Sequence, residues 1–134
     1  MLSVTIPGWK TLQLSHLILD YNGTIALDGR LIDGVKPRVA ALAASLTIHI
    51  LTADTFGSVR EALAGLPCRL AVIPVERQAE AKLAYIAELG PEASVCIGNG
   101  RNDRLMLKQA ALGIALVQAE GAAAEALLAA DAVS

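Results

Sequence analysis

Leu17-Ile18-Leu19-Asp20-Tyr21-Asn22-Gly23-Thr24 runs from a short apolar block into an acidic, glycine-bearing turn. The apolar triplet is β-compatible and fits a buried strand. Asp20 then emerges at the strand's C-terminal end, where open α/β sheets bind their ligands. A carboxylate at that place is a candidate nucleophile. Gly23 lets the backbone turn tightly, and Thr24 offers a hydroxyl able to hold the loop or a phosphate oxygen.

Upstream, Val4-Thr5-Ile6 and Leu12-Gln13-Leu14 alternate around Pro7-Gly8 and predict an antiparallel hairpin at an edge of the sheet. Downstream, the two apolar arms of residues 25–32 flank Asp28-Gly29, a strong hairpin signal, and predict a small β-hairpin flap over the site. Beyond Asp33-Gly34 a helix is expected, with Pro37 in its first turn and Val39, Leu42, Ala43 and Leu46 on one face. Strands are expected at residues 48–51, 70–73, 94–97 and 114–117. Helices are expected at 58–66, at 78–89 closed by Gly90-Pro91, at 103–111 and at 122–130; residues 131–134 open a further strand. This alternation predicts an α/β fold with a doubly wound, Rossmann-like, mainly parallel sheet and helices on both faces. No repeat or low-complexity linker divides it, so residues 1–134 are expected to form one domain.

The chain is 54% hydrophobic, carried by Ala, Leu, Val and Ile in short blocks, and no run approaches the ~20 apolar residues of a membrane span. Its first residues show no basic segment followed by a long apolar stretch, so the expectation is a cytoplasmic protein with no membrane partner. Eleven basic residues against thirteen acidic ones give a net charge of −2. With no Lys/Arg cluster and only one Trp, two Tyr and one Phe to stack on bases, nucleic acid is not an expected partner. Cys68 and Cys96, in or beside expected strands, read as reduced buried thiols. The high apolar share also suggests a homo-oligomer that hides surface by self-association.

Parallel strands place all their C-terminal ends on one edge of the sheet, so three later segments can converge on Asp20. Thr52, closing Ile48-His49-Ile50-Leu51, offers a hydroxyl near a helix start. Lys82, early in the 78–89 helix, offers a point charge that could neutralise a phosphate and a carboxylate together. Gly98-Asn99-Gly100-Arg101-Asn102-Asp103 follows a strand directly, and Asn99 and Asp103 bring oxygen donors suited to a hard cation. His16 and His49 read as structural, Asp54 and Thr55 as caps of the next helix, Asp33 as a turn residue and Arg101 as a loop residue.

With these residues in order, the chain resembles the haloacid dehalogenase superfamily of phosphotransferases, most of all its soluble P-type-ATPase-like branch. The family's first motif, Asp-x-Asp-Gly-Thr, stands here as residues 20–24, and its second, a strand ending in Ser or Thr, matches Thr52. The third, a helical Lys, matches Lys82. The fourth, Gly-Asp-Gly-x-Asn-Asp, stands as residues 98–103. The resemblance implies a catalytic core in which Asp20, Asn22, Thr52 and Lys82 occupy the catalytic positions. Gly23, Thr24, Thr52, Ala53, Lys82 and Asn102 would surround the phosphoryl group. Mg²⁺ would be held by Asp20, the backbone carbonyl of Asn22, the Asn99 side chain, and Asp103 directly or through water. The substrate would be a phosphorylated small molecule or a phosphorylated macromolecule.

Two family aspartates are asparagines here, Asn22 and Asn99. An amide does not titrate near neutral pH, so Asn22 cannot protonate a leaving group or activate water. At position 99 an amide oxygen still ligates Mg²⁺ but brings no charge. The chain also lacks the long insertion that forms a cap in many relatives, so an open, capless site is expected. Two readings follow: a slow phosphohydrolase, or a weakened domain that keeps the fold for binding or regulation.

Overall fold

The computed structural model of the chain describes residues 1–53 and 57–134; Asp54 and Thr55, read as helix caps, lie outside them. Six parallel strands form the central sheet: β3 (His16–Asp20), β6 (Thr47–Thr52), β7 (Arg69–Val72), β8 (Ser94–Gly98), β9 (Leu112–Ala115) and β10 (Ala132–Val133). Their order is β10-β9-β8-β3-β6-β7. β3 is therefore the switch point. The chain first winds outward on one side of it, to β6 and β7, then crosses back to build β8, β9 and β10 on the other. In open α/β sheets the ligand crevice lies at the carboxyl ends of the strands at such a point, and Asp20 is the last residue of β3.

Leu17, Ile18 and Leu19 are buried on both faces of the sheet, as a central parallel strand requires. One face packs Leu17, Leu19, Ile48, Ile50 and Val95 against Val39 of α1 (Val35–Leu42) and Val59 of α2 (Ser58–Ala62). The other packs Ile18, Leu51, Cys96 and Ala115 against α3 (Gln78–Leu89), α4 (Arg104–Gln109) and α5 (Ala124–Ala129), through Ile86, Met106, Leu107 and Ala126. Helices thus cover both faces, as the alternation of the sequence predicted.

The N-terminal hairpin pairs β1 (Leu2–Ile6) with β2 (Lys10–Leu14) as a two-stranded sheet of its own. It leads through Ser15 straight into β3, so it stands at the end of the central strand away from Asp20. Leu12 and Leu14 plug into the core there. At the opposite end, β4 (Ala26–Leu27) and β5 (Arg30–Leu31) make the flap. Its turn residues Asp28 and Gly29 have φ 52° and 79°, the left-handed pair that a tight hairpin demands. Tyr21 Oη donates to the Gly29 carbonyl at 2.9 Å and ties the flap to the Asp20 loop.

Several boundaries differ from the sequence expectation: α1 ends at Leu42, so Ala43 and Leu46 lie beyond it, and α5 is confined to Ala124–Ala129. The second helix stops at Ala62 and residues 63–66 form a turn, with Gly65 at φ 81°. The helix expected at 103–111 opens as a 3₁₀ turn, Arg101–Asp103, and its α part ends at Gln109, because Ala110 turns extended. β9 begins at Leu112, two residues early, and includes Gly113. A Cβ there would collide with the Leu107 carbonyl oxygen, so only glycine lets β9 run this close to α4.

Candidate active site

Asp20 reaches the site from the end of β3, and Lys82 comes to it from the first half of α3. Lys82 shares the inner face of that helix with Ala79 and Ile86, three residues before and four after, which carries its long side chain inward. Its Nζ donates to Asp20 Oδ1 at 2.8 Å and to Asp103 Oδ1 at 2.6 Å, and lies 3.3 Å from Asn102 Oδ1. Lys82 and Asp103 are 1% and 0% exposed, and Asp20 keeps 13% of its side chain open to solvent. Of this buried trio the nucleophile candidate alone faces outward.

Burial pushes the Asp20 carboxyl up to about 6, a rise reinforced by the negative charge of Asp103 and restrained by the Lys82 ammonium and the Thr24 hydroxyl. It is therefore ionised at neutral pH, as a nucleophile must be. Burial pulls Lys82 down, yet the two carboxylates outweigh it and hold the ammonium above the ordinary lysine value.

The loop after β8 is wound around Asp103. Its Oδ2 accepts from the backbone N–H groups of Asn99 at 3.0 Å and Gly100 at 2.9 Å, while Oδ1 takes Lys82. Both oxygens are thus engaged within the protein. Asn102 Nδ2 donates to Gln78 Oε1 at 2.8 Å, joining this loop to the start of α3. Thr24 Oγ1 lies 3.3 Å from Asp20 Oδ2 and 3.5 Å from Asn99 Oδ1, and Asn99 Nδ2 donates to the Gly121 carbonyl at 3.3 Å. The amide oxygen of Asn99 accordingly points toward the Asp20 side.

Thr52 ends β6 one residue beyond Leu51, the register partner of Asp20, and is buried; Ala53 follows it half-buried. Gly23, at φ 82°, lies against the Asn99 side chain and Glu120, leaving no room for a Cβ. Asn22 is exposed at the mouth. The structure therefore brings Asp20, Thr24, Lys82, Asn99, Asn102 and Asp103 into one bonded cluster and sets Asn22, Thr52 and Ala53 around it. The sequence reading missed Gln118, whose Nε2 donates to the carbonyls of Thr24 at 2.7 Å and Gly23 at 3.3 Å and pins the loop after Asp20. Its position just past β9, at the same sheet edge, was the available signal.

Among the described residues no three His, Cys, Asp or Glu side chains surround a common point. The donors on offer are instead hard oxygens of mixed type: the Asp20 carboxylate, the Asn99 amide and loop carbonyls. Such a set suits Mg²⁺ better than a softer metal. Two carboxylates against one ammonium also leave the cluster with an unbalanced negative charge that a divalent cation offsets. The residues present fit that ion.

No family model matches the chain. An uncharacterised protein of Methanocaldococcus jannaschii is 51% identical over 39 residues, covering 29% of this chain and 89% of that protein. Among solved structures, a HAD-family hydrolase of Streptomyces avermitilis superposes with a TM-score of 0.73 at 23% identity, over 91% of this chain and 76% of that one. The 3-deoxy-D-manno-octulosonate 8-phosphate phosphatase of Moraxella catarrhalis, in complex with magnesium, phosphate and its sugar acid, gives 0.67 at 16% identity, over 90% and 76%. A zinc-transporting P-type ATPase gives 0.61 at 29% identity, over 76% of this chain and 16% of that one.

The class defined by these features is a doubly wound α/β protein with a strand-end carboxylate at the switch point of its sheet. Within that class the chain has the fold shared by the HAD-family hydrolase and the sugar-acid phosphatase above.

Proposed function

We propose that the chain is a Mg²⁺-dependent phosphohydrolase of the haloacid dehalogenase type that works through an aspartyl-phosphate on Asp20. One observation carries the reading: an outward-facing carboxylate at the switch point, hydrogen-bonded to a buried lysine that a second buried carboxylate holds in place. An Asp20 oxygen attacks phosphorus in line, and the bond to the leaving oxygen breaks as the Asp20–phosphorus bond forms. Water then displaces the phosphoryl group, giving orthophosphate and the free carboxylate. Lys82 and Asn102 face the negative charge of the group in transfer, with Thr24, Thr52, Gly23 and Ala53 around it. Asp103 acts as a positioning residue, fixing both the Asn99 loop and the Lys82 ammonium. When bound by Asp20, the Asn22 carbonyl and Asn99, Mg²⁺ supplies electrostatic stabilisation of the phosphoryl oxygens.

Asn22 cannot give the leaving oxygen its proton or take one from the attacking water, so solvent supplies the first proton and accepts the second, and turnover is slow. The chain acts as one capless core of residues 1–134, in the cytoplasm, on a phosphorylated small molecule or macromolecule. Phosphate release from an aryl phosphate in the presence of Mg²⁺ tests this. Equal release by the wild type and by Asp20→Asn removes the catalytic reading.

The exposed amide of Asn22, together with Asn99, favours a second reading in which the domain binds phosphate or metal without turnover. Restoring both aspartates separates the two. A large gain in rate supports an attenuated enzyme; no gain, with no Mg²⁺ bound by either form, supports the regulatory domain.

A further inference from the structure

Beside the buried cluster lies a cavity of about 420 Å³, lined by Arg77, Gln78 and Glu80 at the start of α3 and by Arg101, Asn102 and Arg104 after β8. Three of the chain's eleven basic residues meet in it. Among the described residues both ion pairs belong to Lys82, so none of the three guanidinium groups is paired, and Glu80 is the one acidic residue of the lining. Arg104 Nη1 donates to the Arg101 carbonyl at 3.0 Å, which sets these two side by side. Arg77 sits at φ 57°, one of two non-glycine residues described in the left-handed region; the other, Asp28, serves the flap turn. The bonded pair Gln78 and Asn102 forms the wall toward the site, since Asn102 also contacts Lys82.

We propose that this cavity is a subsite for a second oxyanion, a carboxylate or phosphate, carried by the substrate whose phosphoryl group is transferred at Asp20. The proposal rests on the phosphohydrolase reading and adds the substrate's charge pattern. Guanidinium groups are weakly hydrated forks that match such oxyanions two bonds at a time. The volume lies in the range of small-ligand pockets, roughly 300–1,000 Å³. No aromatic residue lines the cavity, and its charge is confined to one recess, unlike the stacking platforms and basic stripes of nucleic-acid sites. A small dianionic or trianionic phosphoester fits; a nucleic-acid strand does not.

The test uses matched esters that differ in a carboxylate: phosphoglycolate against ethyl phosphate, phosphoglycerate against glycerol phosphate, phosphogluconate against sorbitol phosphate. Binding to the full chain is measured by calorimetry without Mg²⁺, and hydrolysis is measured with it. In at least one pair the acid should bind about tenfold more tightly, and Arg101→Gln and Arg77→Gln, made separately, should each pull that ratio toward one. A ratio near one in every pair, or one that survives both substitutions, overturns the subsite. Hydrolysis without an arginine-dependent preference leaves the phosphohydrolase reading standing alone. Preference without hydrolysis of any ester does the reverse.

Discussion

At the scale of single residues, Asn22 and Lys82 decide what the site can do. Asn22 is exposed and, in the proposed reaction, occupies the place of the acid or base for the leaving group; its amide carries no exchangeable charge near neutrality. Asn22→Asp should raise steady-state turnover of an aryl phosphate by about 10²–10⁴, the usual worth of general acid–base assistance. An unchanged rate would show that proton transfer does not limit this site. Lys82 is the one cation between two buried carboxylates. Replacing it with Met leaves Asp20 and Asp103 facing each other without compensation, and removing one partner of a buried ion pair costs about 3–5 kcal/mol. Urea unfolding should show that loss, and added Mg²⁺ should recover part of it. A variant as stable as the wild type would contradict the charge balance described here. Asp20 and Thr52 were legible in the sequence, because a polar residue closing an apolar strand is visible as such. The inward aim of Lys82 was legible as well, in its spacing from Ala79 and Ile86, but a lysine on a helix counts as solvated until the charges waiting for it are known.

At the scale of elements, the sequence named every helix and strand that builds the site, and one of its errors falls where β9 approaches the backbone of α4. α3 occupies residues 78–89 as read, since a twelve-residue pattern closed by Gly90 leaves little freedom. β9 begins at Leu112, two residues before the expected strand, and so takes in Gly113, the contact that lets the strand lie against α4. Gly113→Ala should therefore destabilise the fold by at least the roughly 1–3 kcal/mol of ordinary overpacking, the obstacle being backbone rather than a movable side chain. A thermal melt checks this; an unshifted transition would mean that α4 can withdraw at no cost. Displacing β9 would also displace Gln118, which follows it and holds the Thr24 and Gly23 carbonyls. Gly113→Ala should accordingly weaken phosphate binding at the far end of the strand as well as stability. No reading of local propensity reaches that link, because it runs through strand register.

At the scale of the whole molecule, the sheet carries titratable groups at both levels, and they respond to acid with opposite signs. Below the site, His49 lies buried in the middle of β6, with Nε2 3.0 Å from His16 Nδ1 and Nδ1 2.8 Å from Tyr85 Oη. The two histidines lie 33 residues apart in the chain, and the parallel pairing of β3 with β6 brings them together. Burial first, then the positive charge of His16 and Arg69, lowers the His49 pKa from 6.5 to about 4. The unfolded chain takes up that proton near 6.5 and the native protein does not, so stability present above 6.5 drains away as the pH falls toward 4. Asp20, raised from 3.8 to about 6, behaves in the reverse way. Without Mg²⁺ the native protein protonates it before the unfolded chain does, so acidification between about 6 and 3.8 adds stability there. The two contributions oppose each other over much of the same interval. In chelator, wild-type unfolding free energy should therefore fall only gently between about pH 6.5 and 4, while Asp20→Asn, which keeps His49 alone, should fall steeply. His49→Gln should abolish the fall or turn it into a rise. Parallel urea titrations of the three proteins check this, and equal slopes in all three would show that neither group links folding to protons in the way its surroundings demand.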